Sequence, residues 1–317
     1  MKDSFGRDIT YLRISVTDLC NLRCRYCMPE EGVEKLCHRD ILSLEEIYEV
    51  AEAAVSLGIT KIRLTGGEPL VRRGLPSLIG RLAKLPGLCD LAMTTNGLLL
   101  PELAEELRAA GLMRLNISLD TLDAAKYSDI TRGGELQKAL DGIRAAEEAG
   151  FAPLKLNTVL IGGFNDDEIP ALCELTRERG ISLRFIELMP IGHADPFGEE
   201  AYLPCAAVPE RVPELQPLPR GDGVATLYRL PGARGTVGLI RPLSHHFCGE
   251  CNRLRLTADG FLKPCLHSAE ELPLRGLHGE ALKNALRDAI LRKPAQHGAL
   301  SAGERSESAR DMHQIGG

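Results

Sequence analysis

The sequence predicts an α/β fold: a partial, TIM-like barrel of six strands with helices outside, followed by a C-terminal extension. Three observations carry this. A strand-then-helix unit recurs along residues 11–190, the pattern of a parallel sheet covered by helices. The strand candidates end in polar residues, which is where barrels and open α/β sheets place their sites. After Pro190 the rhythm breaks, so residues 1–190 are expected to form the barrel core and 191–317 the extension.

The strand candidates are, in order, YLRISVT (11–17), KIRLTGG (61–67), LAMTTNG (91–97), RLNISLD (114–120), PLKLNTVL (153–160) and LRFIELMP (183–190). The clearest helix begins at Ser43, with Glu46 completing a capping box. Its apolar positions Leu44, Ile47, Val50, Ala51, Ala54 and Val55 follow the helical period, and Gly58 suits its stop. Further helices open at Pro101, near Glu135 and after Asp166, and stop near Gly111, Gly150 and Gly180. Residues 193–240, rich in Pro and Gly, are expected to be irregular with short strands, and a helix is expected near 280–292. By composition the tail SAGERSESARDMHQIGG (301–317) is expected to be mobile.

With 317 residues, 44% apolar and 26% charged, the chain has the composition of a soluble globular protein. A formal net charge of -6 argues against DNA or RNA as a partner. No basic segment leads into an apolar one at the start, and no run of about 18 apolar residues occurs, so a cytoplasmic location without a membrane partner is expected.

Ten cysteines in such a chain are not expected to form a disulfide framework. Cys37, Cys89, Cys173 and Cys205 stand alone, but Cys20, Cys24 and Cys27 are spaced C-x3-C-x2-C, and Cys248, Cys251 and Cys265 C-x2-C-x13-C. Three thiolates short of a full ligand set leave one position open for a substrate or cofactor. Zinc is the alternative, with Asp18 or His38 completing the first set and His245, His246 or His267 the second. Arg253 and Arg255 lie between cysteines of the second set; in a strand they share a face and suit a phosphate or carboxylate.

The first cysteine motif with Tyr26 before its last Cys, followed by TGGEP (65–69), resembles the signature of the radical S-adenosylmethionine (SAM) superfamily. The pattern C-x2-C-N-R-x-R-L-T-x-D-G-x-L-x-x-C-L, the start FGRDITYLRISVTDLCNLRC and the terminal Gly-Gly together resemble the GTP 3′,8-cyclase family of molybdenum cofactor biosynthesis. The likeness covers essentially the whole chain and is weakest at 193–240, where the family often carries a Trp and this chain has none.

The resemblance implies a radical SAM type of partial barrel whose extension carries a second iron–sulfur cluster. Cys20, Cys24 and Cys27 would hold a 4Fe–4S cluster with SAM on its fourth iron. Tyr26, Gly67, Ser118 and Met189 would contact SAM, with the backbone of LIGGFND (160–166) flanking its adenine. Cys248, Cys251 and Cys265 would hold a second 4Fe–4S cluster facing the guanine base. Arg13, Arg63, Thr94, Lys155, Arg253 and Arg255 would bind GTP. Gly316 and Gly317 would enter the active site and be needed for turnover, with Arg310 anchoring the segment before them. A reduced electron donor and a homodimer complete what the family implies. The alternatives are a radical SAM peptide maturase with an auxiliary cluster and a zinc-stabilised binding protein.

Overall fold

A computed structural model describes residues 1–33, 36–192, 197–221, 223–298 and 306–316. The strands are β1 (Tyr11–Ser15), β2 (Lys61–Thr65), β3 (Asp90–Thr95), β4 (Arg114–Ser118), β5 (Leu154–Leu160), β6 (Ile181–Glu187), β7 (Gln216–Pro217), β8 (Thr226–Arg229), β9 (Thr236–Ile240), β10 (Arg253–Leu256), β11 (Phe261–Lys263) and β12 (Leu272–Pro273). The α-helices are α1 (Leu44–Ser56), α2 (Leu75–Leu82), α3 (Leu100–Ala109), α4 (Ala124–Thr131), α5 (Leu136–Glu148), α6 (Ile169–Glu178), α7 (Ala207–Arg211), α8 (Gly279–Leu291) and α9 (Met312–Ile315).

All strands belong to one sheet, in the order β12-β11-β10-β1-β2-β3-β4-β5-β6-β9-β8-β7. The six strands expected from the sequence lie side by side in chain order and parallel. The sheet then runs further than six. Strand β10 adds parallel to β1, β9 adds parallel to β6, and antiparallel strands close each flank. Among the described residues no strand pair joins β12 to β7, so pairing alone leaves the sheet open.

Each core strand alternates, because side chains of a strand point to opposite faces in turn. One face carries Leu12, Ile14, Ile62, Leu64, Leu91, Met93, Leu115, Ile117, Leu156, Leu183 and Phe185, each at most 1% exposed. These pack against the helices. Helix α1 shows how the sequence makes the outer layer: Ser43 Oγ accepts from Glu46 N (3.1 Å) and Glu46 Oε2 from Ser43 N (2.7 Å). That capping box satisfies two free donors of the first turn, and Ile47, Val50, Ala51, Ala53 and Ala54 are buried. Helices α2 and α4 add to those expected; the Gly and Pro of LPSLIGRL hide an apolar stripe, Leu75, Leu78, Ile79 and Leu82, that is fully buried.

The expectation of a mobile tail is corrected over residues 306–316. Ser306 N donates to Pro190 O (2.9 Å). The Arg310 guanidinium bonds Glu271 Oε1 and Oε2 (2.7 Å each) and Asp259 Oδ1 (2.9 Å). Asp311 and Gln314 form a capping box on α9, and His313 and Ile315 are buried. Charge-assisted bonds from one Arg outweigh the bias of a small, polar composition.

Candidate active site

The first cysteine loop follows β1 directly. Cys27 N and Met28 N both donate to Cys24 O (2.9 and 3.1 Å), a tight turn that draws Cys24 and Cys27 together. Leu22 N points at Cys20 Sγ (3.4 Å). The loop is fastened to the end of α4 through Arg23 N to Thr131 O and Arg25 N to Ile130 O. The loop after β2 lies against it: Gly67 N donates to Thr17 O (3.0 Å) and Glu68 N to Leu19 O (2.8 Å). Only glycine fits there. A Cβ on Gly66 would stand 2.2 Å from Thr17 O, and one on Gly67 2.4 Å from Leu19 O.

Two buried carboxylates brace this region. Glu68 accepts from Leu70 N (3.0 Å), Thr95 Oγ1 (2.7 Å) and Asn96 N (2.7 Å). Burial pushes its pKa up to about 7, against those three donors. Asp120 accepts from Tyr26 Oη (2.6 Å) and Val159 N (2.8 Å), and burial raises it to about 6. Asn165 bridges Asp120 O (2.7 Å) and Val159 O (2.8 Å), which fixes the 160–166 loop beside them.

The second face of the sheet is basic. Register aligns Arg253 with Tyr11 and Lys61, and Arg255 with Arg13 and Arg63. It continues through Thr94 beside Asn116 and Asn116 beside Lys155, then Ser118 beside Asn157 and Asn157 beside Arg184. All six residues expected to hold the substrate therefore share one face. Arg114 lies there too, bound bidentate to Asp90. Burial lowers Arg13, Arg63, Lys155, Arg184 and Arg255, and neighbouring cations lower them further. Lys155 falls to about 7 through burial, then Arg184, Arg114 and Arg63; Arg184 and Arg255 fall to about 10. Burial and then the Arg255 cation push Arg13 down as well. Crowded like charges out of water are costly without an anion among them. Among the described residues, buried Arg63 Nε, Arg184 Nε, Asn116 Oδ1 and Asn157 Oδ1 have no hydrogen-bond partner, which fits a polar, anionic ligand.

The tail reaches this face. Arg13 Nε and Nη2 donate to Gly316 O (3.2 and 3.0 Å), and Arg255 Nη1 donates to Gly316 O (2.6 Å) and Ile315 O (3.0 Å). Gly316 has φ +67°, and a Cβ there would stand 2.0 Å from Thr65 Oγ1. Gly317 lies outside the described residues.

The second cysteine trio sits at the mouth of β10 and after β11. Cys251 N donates to Cys248 O (3.1 Å). Glu187 holds the approach to it, accepting from Cys205 N (3.1 Å), Leu243 N (3.0 Å), Ser244 N (3.0 Å) and Ser244 Oγ. Burial pushes the Cys251 thiol up, but the Lys293 and Arg253 cations bring it below the ordinary thiol value.

All six motif cysteines are free thiols. In the first trio, burial raises Cys20 to about 11 and lifts Cys24 and Cys27 further, with Cys27 and Cys20 adding to the shift of Cys24 and Cys20 to that of Cys27. In the second, burial and then Cys251 and Cys265 raise Cys248. Thiols that repel one another as anions fit a cationic iron–sulfur group that would bring them together. Among the described residues no three His, Cys, Asp or Glu side chains stand as a single-ion site, so the fit rests on donor chemistry. Of the residues expected at SAM, Tyr26 packs against a small cluster of Ile130, Ile161, Leu188 and Ala201. Ser118 and Met189 are half-buried, and Gly67 lines the cysteine loop. Sequence reasoning placed Glu68, Asp120 and Glu187 among the polar strand ends without assigning them a role, and missed Arg114 and Arg184. The two Arg carry the same every-second-residue signal as Arg13 and Arg63.

The pattern of the radical SAM superfamily matches residues 14–176, and that of Molybdenum Cofactor Synthesis C matches residues 181–299. The GTP 3′,8-cyclase of Alkaliphilus oremlandii is 50% identical over 321 residues, covering 100% of both chains. That of Peptoclostridium acidaminophilum is 53% identical over 320 residues, covering 99% of this chain and 98% of its own. Among solved structures, Streptococcus suis SuiB covers 91% of this chain and 67% of its own, at a TM-score of 0.62 and 14% identity, a likeness of fold. These relatives favour neither the maturase nor the zinc protein. The chain belongs to the GTP 3′,8-cyclase family within the radical SAM superfamily.

Proposed function

We propose that this chain cleaves SAM reductively and uses it to convert GTP to 3′,8-cyclo-7,8-dihydro-GTP, the first step of molybdenum cofactor biosynthesis. The observation that carries this is the basic sheet face, with Arg13, Arg63, Lys155, Arg184, Arg253 and Arg255 together between elements that bear two cysteine trios. A triphosphate supplies the negative charge that such a face lacks.

Cys20, Cys24 and Cys27 would hold a 4Fe–4S cluster whose open iron takes SAM; Cys248, Cys251 and Cys265 would hold a second, facing the guanine. Bound SAM and its cluster supply the hydrogen-abstracting chemistry. The chain's own residues do the positioning. Tyr26, Gly67, Ser118 and Met189 would line the SAM site. Arg13, Arg63, Thr94, Lys155, Arg253 and Arg255, joined by Arg184, would hold GTP with its 3′ carbon against carbon 8 of the base. Near-attack geometry of that kind accounts for much of the rate in an intramolecular bond formation. Gly316 would reach the same space and exclude water from it, and Gly316 and Gly317 would both be needed for turnover. Residues 1–190 are taken as the catalytic core and 191–317 as its extension. A homodimer, a cytoplasmic setting and a reduced electron donor belong to the same proposal; among the described residues no helix is long and apolar enough to cross a membrane.

The test is anaerobic reconstitution with iron and sulfide, then SAM, GTP and dithionite, with products identified by mass spectrometry. 5′-Deoxyadenosine and a GTP isomer, both lost in Cys24→Ala, are expected. 5′-Deoxyadenosine with GTP unchanged would overturn the substrate and favour a peptide. Zinc in place of iron, with neither product, would overturn the reading entirely.

A further inference from the structure

The FGRDI segment (5–9) and the chain that follows α8 meet behind the second cysteine trio. Arg7 crosses more than 240 positions of sequence to donate to Cys248 O (2.7 Å), Pro294 O (2.7 Å) and Ala295 O (3.0 Å). Asp3 accepts its Nε at 2.6 Å and neutralises it. Arg7 is therefore a geometric tie without net charge.

Lys293 is different. Its residue is 2% exposed, and its Nζ donates to Arg253 O (2.9 Å) and Pro264 O (2.7 Å), on the segments that carry Cys251 and Cys265. Both of these hydrogen bonds go to backbone carbonyls, not to a carboxylate. A buried ammonium bonded to neutral carbonyls is costly and needs an anion. Cys251 is a group it acts on directly. Between them, Arg7 and Lys293 tie all three cysteine-bearing segments to residues 293–295.

We propose that Lys293 is the charge partner of the cluster bound by Cys248, Cys251 and Cys265, and that Arg7 and Lys293 hold that trio in shape. Both are positioning residues. The inference rests on the reading of a second cluster. A fixed positive charge favours the reduced, more negative state of such a cluster, so Lys293 sets its potential as well as its stability.

The test uses the full-length chain carrying Cys24→Ser, so that iron reports the second site, reconstituted anaerobically and titrated with dithionite in redox mediators. Lys293→Met is expected to move the one-electron equilibrium at least tenfold toward the oxidised form, which is about 59 mV more negative. Lys293→Arg should restore the parent value, and Arg7→Gln should lower iron at the site without moving the potential. Lys293→Gln should show the same shift as Met, and it carries the test if Met fails to fold. An unchanged potential in both uncharged variants would overturn the proposal. A parent protein that binds no iron at this site would instead overturn the second cluster itself.

Discussion

The Gly316 carbonyl stands 2.6 Å from the Arg255 guanidinium, 61 positions away in the chain. The end of the molecule is thus built into the basic face. Gly316 adopts φ +67° with Thr65 Oγ1 where a Cβ would go, so Gly316→Ala cannot keep this pose. Product formation is expected to fall at least about tenfold, as a 1 Å misplacement near the reacting atoms suffices for more. Thermal unfolding should move little, since the tail adds little to the core. A variant with parental turnover would place the tail outside catalysis.

The hold on that tail is Arg310. Charge-assisted bonds to Glu271 and Asp259 contribute about 1.5–3 kcal/mol each when well made, and part of this is lost to solvent here because the group is partly exposed. Arg310→Gln is expected to raise the rate of proteolytic cleavage within 306–316 by roughly tenfold, measured by intact-mass analysis, with iron content unchanged. Equal cleavage of both proteins would mean that the Asp259 and Glu271 contacts do not hold the tail.

Much of this was legible in the sequence. The six core strands, the α1 capping box and both cysteine trios depend on spacing and on local periodicity, which a chain displays openly. Arg184 and Arg114 obey the same alternation as Arg13 and Arg63, but an Arg in RLNIS or ISLRFIE reads equally as a solvated face until neighbouring strands fix which face is inside. Glu68, Asp120 and Glu187 take their roles from backbone donors in other loops, and Arg7 and Lys293 from carbonyls across the fold. No spacing rule encodes such partners. The docked tail was obscured because one Arg, not overall composition, decides it.

Arg184 gives a direct check on that missed residue. With burial and the neighbouring Arg63 lowering it to about 10 and its Nε without a partner among the described residues, it is poised for an anion. Arg184→Met is expected to raise the KM for GTP roughly 10- to 100-fold, the value of one charge-assisted bond, and to leave the SAM requirement unchanged. The exposed Arg25, paired with Asp129 at 2.6 Å, serves as control, and Arg25→Met should change KM by less than about twofold. Equal effects from the two would remove Arg184 from the substrate site.

If Lys155 binds GTP as proposed, GTP binding is expected to depend on pH. Its pKa lies at about 7 in the free protein, lowered by burial and then by Arg184, Arg114 and Arg63. A bound triphosphate favours the ammonium and raises that value, so binding takes up a proton above pH 7. Affinity is then highest below pH 7 and falls as pH rises toward the bound-state pKa, by at most tenfold per unit. Lys155→Arg keeps its charge and should flatten the profile between pH 7 and about 9. Parallel profiles for the two proteins would contradict this assignment.

The most direct test of the whole account uses GTP deuterated at the ribose 3′ carbon. The reconstituted protein, given SAM and dithionite without oxygen, should place deuterium in 5′-deoxyadenosine, with the cyclised GTP product formed alongside it. 5′-Deoxyadenosine free of deuterium, however much is made, would mean that the basic face does not present that carbon for abstraction.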